Sequence, residues 1–149
     1  MTKKLTIYIL FLSFFFAQFS IAEEKFLSLK KNKVNVRYGP SFESKIKYIY
    51  KKINLPIKQI DKKENFRRIV DLKNNSGWIH RSQLKPINSI ITLEDKILFK
   101  KPSNFSKPIA RLQRGRLLVI KKCKNNWCNI TTDGYTGWVK TENVWGTIK

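Results

Sequence analysis

Histidine, cysteine and acidic residues are all scarce in this 149-residue chain. One histidine, His80, and two cysteines, Cys123 and Cys128, leave most histidine- or thiolate-based metal and catalytic schemes without enough parts. Ten Asp and Glu stand against 31 Lys and Arg, a formal charge of +21. The few carboxylates show no pattern that singles out an acid–base pair. Gly-rich phosphate loops and metal-ligand clusters are missing. Five Pro and six Gly are too few for collagen-like or low-complexity architecture. The length excludes a large multidomain enzyme. What remains is substantial: 42% hydrophobic and 13% aromatic residues exclude a wholly disordered chain. The counts describe a small, basic, folded protein that is not an enzyme, with no metal or cofactor expected.

The first 22 residues stand apart. Lys3 and Lys4 precede an almost unbroken apolar run from Leu5 to Phe19, and Ser20-Ile21-Ala22 follows with small residues where a signal peptidase reads. That order is a secretory signal peptide, 1–22, cleaved after Ala22. A transmembrane anchor is the alternative, but a span needs roughly 20 apolar residues, and Ser13 and Gln18 interrupt this shorter run. No later stretch reads as a membrane span. Cleavage leaves 127 residues (149 less 22) with a charge of +19 (21 less Lys3 and Lys4). The expected location is the periplasm or the cell exterior, where nucleic acid is not the expected partner. Anionic envelope polymers or lipid headgroups match such a charge; a compositional leaning toward Lys, Asn and Ile explains it equally well.

The mature chain has no sustained 3.6-residue apolar period. Short β-branched and aromatic runs alternate with polar turns, among them 46–50, 55–60, 66–70 and 77–79, then 109–112, 116–120, 127–130 and 137–139. The second set repeats the first. Pro40-Ser41 falls on Pro102-Ser103, Phe66 on Trp127, Ile69 on Ile130 and Gly77-Trp78 on Gly137-Trp138, at offsets of 60 to 62 residues. The expected class is all-β, with two tandem small barrels of about five strands spanning 26–86 and 93–149. Trp78 and Trp138 are expected in their cores. Gly77 and Gly137 mark points where backbone approaches closely or bends. Cys123 and Cys128 are expected to form a disulfide, as an even count in an exported protein suggests. Free thiols, or a metal pair lacking further ligands, are the alternatives.

Val34-Asn35-Val36-Arg37-Tyr38-Gly39-Pro40-Ser41 resembles the opening of bacterial SH3-like domains. Gly77 to Leu84 resembles their closing segment, and Asn65 to Ile69 a central motif with Phe66 where Trp is usual. Cys123 to Cys128, Gly134 to Val139 and Trp145-Gly146 carry the resemblance through the second half. It implies tandem SH3-like barrels and a non-catalytic module that binds peptidoglycan or another envelope component; a structural protein meeting an envelope partner is the second implication. The ligand-contacting candidates are Arg37, Tyr38, Phe42, Phe66 and Tyr135, aromatics for sugar rings or peptide backbone and arginine for carboxylates. The second half lacks the Asn, Arg and Gly of the opening motif at 97–103. More ligand contact is therefore expected in the first domain.

Overall fold

The computed structural model describes residues 25–146; the signal-peptide segment 1–22 lies outside them. Seven strands build the first sheet: β1 (Lys25–Leu29), β2 (Val34–Arg37), β3 (Ile46–Tyr50), β4 (Pro56–Lys63), β5 (Phe66–Val70), β6 (Ser76–His80) and β7 (Leu84–Pro86). Seven more build the second: β8 (Ser89–Thr92), β9 (Lys96–Phe99), β10 (Pro108–Leu112), β11 (Leu117–Lys124), β12 (Trp127–Thr132), β13 (Tyr135–Lys140) and β14 (Val144–Trp145). One 3-10 turn, Arg81–Gln83, joins β6 to β7. Among the described residues no helix is long and apolar enough to cross a membrane.

The spatial orders are β3-β2-β6-β5-β4-β1-β7 and β10-β9-β13-β12-β11-β8-β14, antiparallel throughout. Adding seven to each strand number turns the first order into the second, so the duplication extends from sequence to topology. It also reaches the irregularities. Ile60 and Lys121 are the extra residues at matching shifts of register in β4 and β11, as are Lys47 and Ile109 in β3 and β10. Such bulges bend a strand and sharpen its twist. Each domain has seven strands where five were expected, because β1, β7, β8 and β14 are too short or too weakly patterned to stand out. The second sheet also begins at Ser89, ahead of the expected boundary at 93. The run Ser89-Ile90-Ile91-Thr92 is entirely buried, although Pro86 beside it reads as a linker signal.

Period-2 alternation chooses the core. Leu29, Val34, Val36, Ile57, Ile69 and Ile79, from five strands, converge in one cluster, so the sheet must curl around them. Ile90, Leu98, Leu112, Leu118, Cys128, Ile130 and Val139 do the same in the second domain. Trp78 and Trp138 are not in these cores, contrary to expectation. Gly77 and Ile79 face inward, and their neighbour Trp78 therefore occupies the opposite face, half-exposed; Gly137, Val139 and Trp138 repeat the pattern. The glycines are needed for contact. A Cβ at Gly77 would stand 2.4 Å from Val36 Cγ1 and 3.0 Å from the Arg37 carbonyl oxygen, and one at Gly137 would stand 2.8 Å from both Leu98 Cγ and the Phe99 carbonyl oxygen.

The expected Cys123–Cys128 disulfide is present, linking directly opposed residues of β11 and β12 with Cα atoms 4.1 Å apart. The next hairpin turns through Asp133-Gly134, both at positive φ (44° and 82°), the conformation of a type I′ turn.

The two domains touch through equivalent strands at non-equivalent positions, since the registers match Ser28 to Ile91 and Ser89 to Phe26. Ser28 of β1 and Ser89 of β8, both fully buried, share a hydrogen bond of 3.1 Å between hydroxyls. Ser89 also donates to the Asn54 carbonyl, and Asn88 and Lys85 donate to the Asn54 side chain at 3.2 and 2.6 Å. Beside this polar seam the Trp145 indole donates to the Pro56 carbonyl at 3.0 Å and meets Phe26 edge-on at 5.1 Å.

The Gly77 crossing yields a direct test. Gly77→Ala should destabilise the first domain by about 1–3 kcal/mol, the usual cost of overpacking. Urea unfolding should show it as a lower midpoint; an unchanged midpoint would mean that β2 and β6 have slack.

Candidate functional site

The long connection from β2 to β3 lies over the end of the β5–β6 hairpin, and the order β2-β6-β5 is what puts it there. Phe66 and His80 are directly opposed in register on β5 and β6, with ring centroids 5.2 Å apart. Phe42, from the connection, packs on both: 5.2 Å from Phe66 and 5.0 Å from His80. Phe66 is consequently only 5% exposed, whereas Phe42 remains 60% exposed. Phe66 was expected to meet a ligand; its ring is instead a floor that holds Phe42 outward.

Arg37 clamps the same loop. One Nη1 donates to the carbonyls of Phe42 at 2.9 Å and Ser44 at 2.7 Å, and the guanidinium lies 5.7 Å from the Phe42 ring centroid. These bonds commit part of the guanidinium to the fold and shape a platform. The Tyr38 amide closes the loop on the Lys45 carbonyl at 3.1 Å. Ser41 donates to the Glu43 carboxylate; that bond, a backbone N–H and the nearby charge of Arg37 hold the Glu43 carboxyl below its usual range. Tyr38 is 67% exposed, with Lys47 Nζ 5.6 Å from its ring centroid. Of the five expected ligand residues, Arg37, Phe42 and Phe66 are in contact, and Tyr38 stands exposed on the same loop. Tyr135 stands apart: it is exposed on the second sheet beside the Asp133-Gly134 turn, opposite Thr132.

The corresponding place in the second domain has a different shape. Trp127 takes the position of Phe66, and its cross-strand partner is Lys140 where the first domain has His80. Phe99 pairs with Trp138 as Arg37 pairs with Trp78, so no arginine clamps the loop above. That loop closes on itself instead, through Lys101 N–H to Ser106 Oγ at 2.8 Å and Phe105 N–H to Ser103 Oγ at 3.2 Å. Asn104 falls where Phe42 stands. An open cleft of about 510 Å³ results, lined by Asn104, Asn126, Trp127, Lys140, Thr141 and Glu142. The loop expected to have lost its role therefore borders a cavity. The 60-residue offset from His80 to Lys140 was the available signal, but it lies outside the aromatic pattern.

Both cysteines are consumed by the disulfide, so no thiolate is available to His80, whose Nδ1 accepts a hydrogen bond from the Ser82 amide at 3.3 Å. Among the described residues no three His, Cys, Asp or Glu side chains group as metal ligands.

Residues 30–86 and 95–146 each match the bacterial SH3 domain. The chain belongs to the bacterial SH3 domain family. Its two SH3 domains are thus of a kind that typically serves as a non-catalytic binding module. A comparison with curated proteins finds no match. Among solved structures, the chain is similar to NlpC2 from Trichomonas vaginalis, with 14% identity, a TM-score of 0.39 and coverage of 83% of this chain and 48% of that one. NlpC1 from the same organism matches with 13% identity, a TM-score of 0.37 and coverage of 81% and 45%. The chain spans about half the length of these two structures.

Arg37→Lys tests the clamp in the first SH3 domain. A lysine keeps the charge but cannot bridge two carbonyls with a rigid fork. Amide exchange at Tyr38 should accelerate by roughly tenfold with the far-ultraviolet spectrum unchanged. Unaltered exchange would show that the loop is held without Arg37.

Proposed function

We propose that this protein is an exported, non-catalytic module that binds peptidoglycan through the β2–β3 loop of its first SH3 domain. The observation that carries this reading is the pair of exposed aromatic rings, Tyr38 and Phe42, each with a cation close by: Lys47 at 5.6 Å and Arg37 at 5.7 Å. Aromatic faces suit the C–H faces of sugar rings and peptide backbone, and fixed cations suit the carboxylates of a stem peptide. Phe66 and His80 beneath Phe42 reduce the entropy lost when a ligand packs on it, because the ring is already positioned. The signal peptide would deliver the module to the compartment where this polymer lies, and a charge of +19 would raise its concentration near anionic envelope material.

A second reading, an assembly protein that meets an envelope partner, is favoured by one feature. β3 lies at the edge of the first sheet and exposes Ile46 and Ile49, and an exposed edge strand can accept a strand from another protein.

Co-sedimentation with purified peptidoglycan at about 0.3 M salt separates the readings, because the Debye length there falls below roughly 8 Å and bulk charge contributes little. The unmutated protein should still pellet. Tyr38→Ala and Phe42→Ala should each weaken binding by about 1 kcal/mol, roughly fivefold, with the fold intact by circular dichroism. Complete loss of binding by the unmutated protein at that salt would overturn the first reading. Capture of one envelope protein through β3 would favour the second.

A further inference from the structure

We propose that the cleft of the second SH3 domain is a separate site for a neutral saccharide, with an N-acylated amino-sugar ring packed on Trp127. The first domain shows what the position accommodates. There Phe42, a six-membered ring supplied by the protein itself, lies on the hairpin pair Phe66 and His80 at 5.2 and 5.0 Å. In the second domain the loop offers Asn104 instead, and the space remains open at about 510 Å³, within the general range of small-molecule sites. A ligand ring can therefore take the place that Phe42 fills in the sister domain.

The lining selects the chemistry. Trp127 provides an indole ring that Phe99 meets edge-on at 5.7 Å and that Lys140 Nζ approaches to 5.8 Å from the centroid. Asn104, Asn126 and Thr141 bring amide and hydroxyl groups that both donate and accept, as vicinal hydroxyls and an acetamido group require. The charges in the cleft cancel: Lys140 Nζ lies 3.8 Å from Glu142 Oε1. In so basic a chain this neutral lining does not select an anion. The Lys140–Glu142 pair is partly solvated, so a hydroxyl can insert between its members at little cost. Phe105, next in the chain to Asn104, is 100% exposed and offers a second ring to a ligand longer than one sugar.

This site is independent of the peptidoglycan surface proposed for the first domain, and the two can fail separately. The probe is the trimer of N-acetylglucosamine, titrated into isotope-labelled full-length protein and followed by NMR. The trimer should shift the Trp127 indole and the amides of Asn126 and Thr141, with an affinity unchanged by added salt. Trp127→Ala should weaken binding by at least tenfold. If that variant is unfolded, Asn104→Phe decides: by supplying the ring that the first domain has, it should abolish the shifts while leaving the thermal midpoint unchanged. Absence of shifts at millimolar trimer, or shifts that persist in Asn104→Phe, would overturn this proposal even with pelleting intact. Loss of pelleting with trimer binding intact would overturn only the first-domain reading.

Discussion

Each domain depends on one place where two backbones pass without room for a side chain. At Gly77 a single added carbon would meet Val36 and the Arg37 carbonyl, and at Gly137 it would meet Leu98 and the Phe99 carbonyl. Because the glycine faces the core, β6 can lie against β2 while Ile79 fills the interior. The residue after each glycine is then forced to the outer face, which is why Trp78 and Trp138 stand there. The same crossing brings the β2–β3 connection over the end of the β5–β6 hairpin. Without that approach neither the Phe42 platform nor the Trp127 cleft would exist.

On this shared frame the two copies have diverged at a few positions with large consequences. Arg37 holds its loop by two carbonyls and sets Phe42 down on Phe66 and His80. Phe99 in the equivalent place meets Trp127 edge-on and leaves the loop to close on its own serines. One copy therefore presents a raised ring and the other a recess. The second core has changed as well: Lys96 is buried where the first has Val34, its ammonium taken up by Glu94 Oε1 at 3.1 Å and the Glu142 carbonyl at 2.6 Å. Bonds from Lys96 first, and from Asn143, hold the Glu94 carboxyl below its usual range. The contact between domains is not symmetric: Ser28 meets Ser89, although the registers match Ser28 to Ile91.

Much of this was readable from residue order alone. The duplication, the all-β class, the disulfide and the close approach at each Gly-Trp all follow from spacing and side-chain type. Misreadings arose where two local signals conflicted. A tryptophan argues for burial by size, yet alternation set by Gly77 and Ile79 turns Trp78 outward. The site was harder, because its composition depends on pairing across strands. His80 and Lys140 are invisible as site residues until register sets them beside Phe66 and Trp127, and a lone histidine carries no pattern of its own. The cleft arises from the loss of a ring at Asn104, and a motif search rewards what is present.

The central claim is that one duplicated frame carries two different binding surfaces, one raised and one recessed. NMR mapping with soluble peptidoglycan fragments, containing both sugar and stem peptide, tests it most directly. The account predicts two separate groups of shifted signals: one around Tyr38 to Ser44, His80 and Lys47, the other around Asn104, Trp127 and Thr141. A single group confined to the seam of Ser28, Asn54, Ser89 and Trp145, or shifts spread evenly over the lysines and lost with salt, would contradict it.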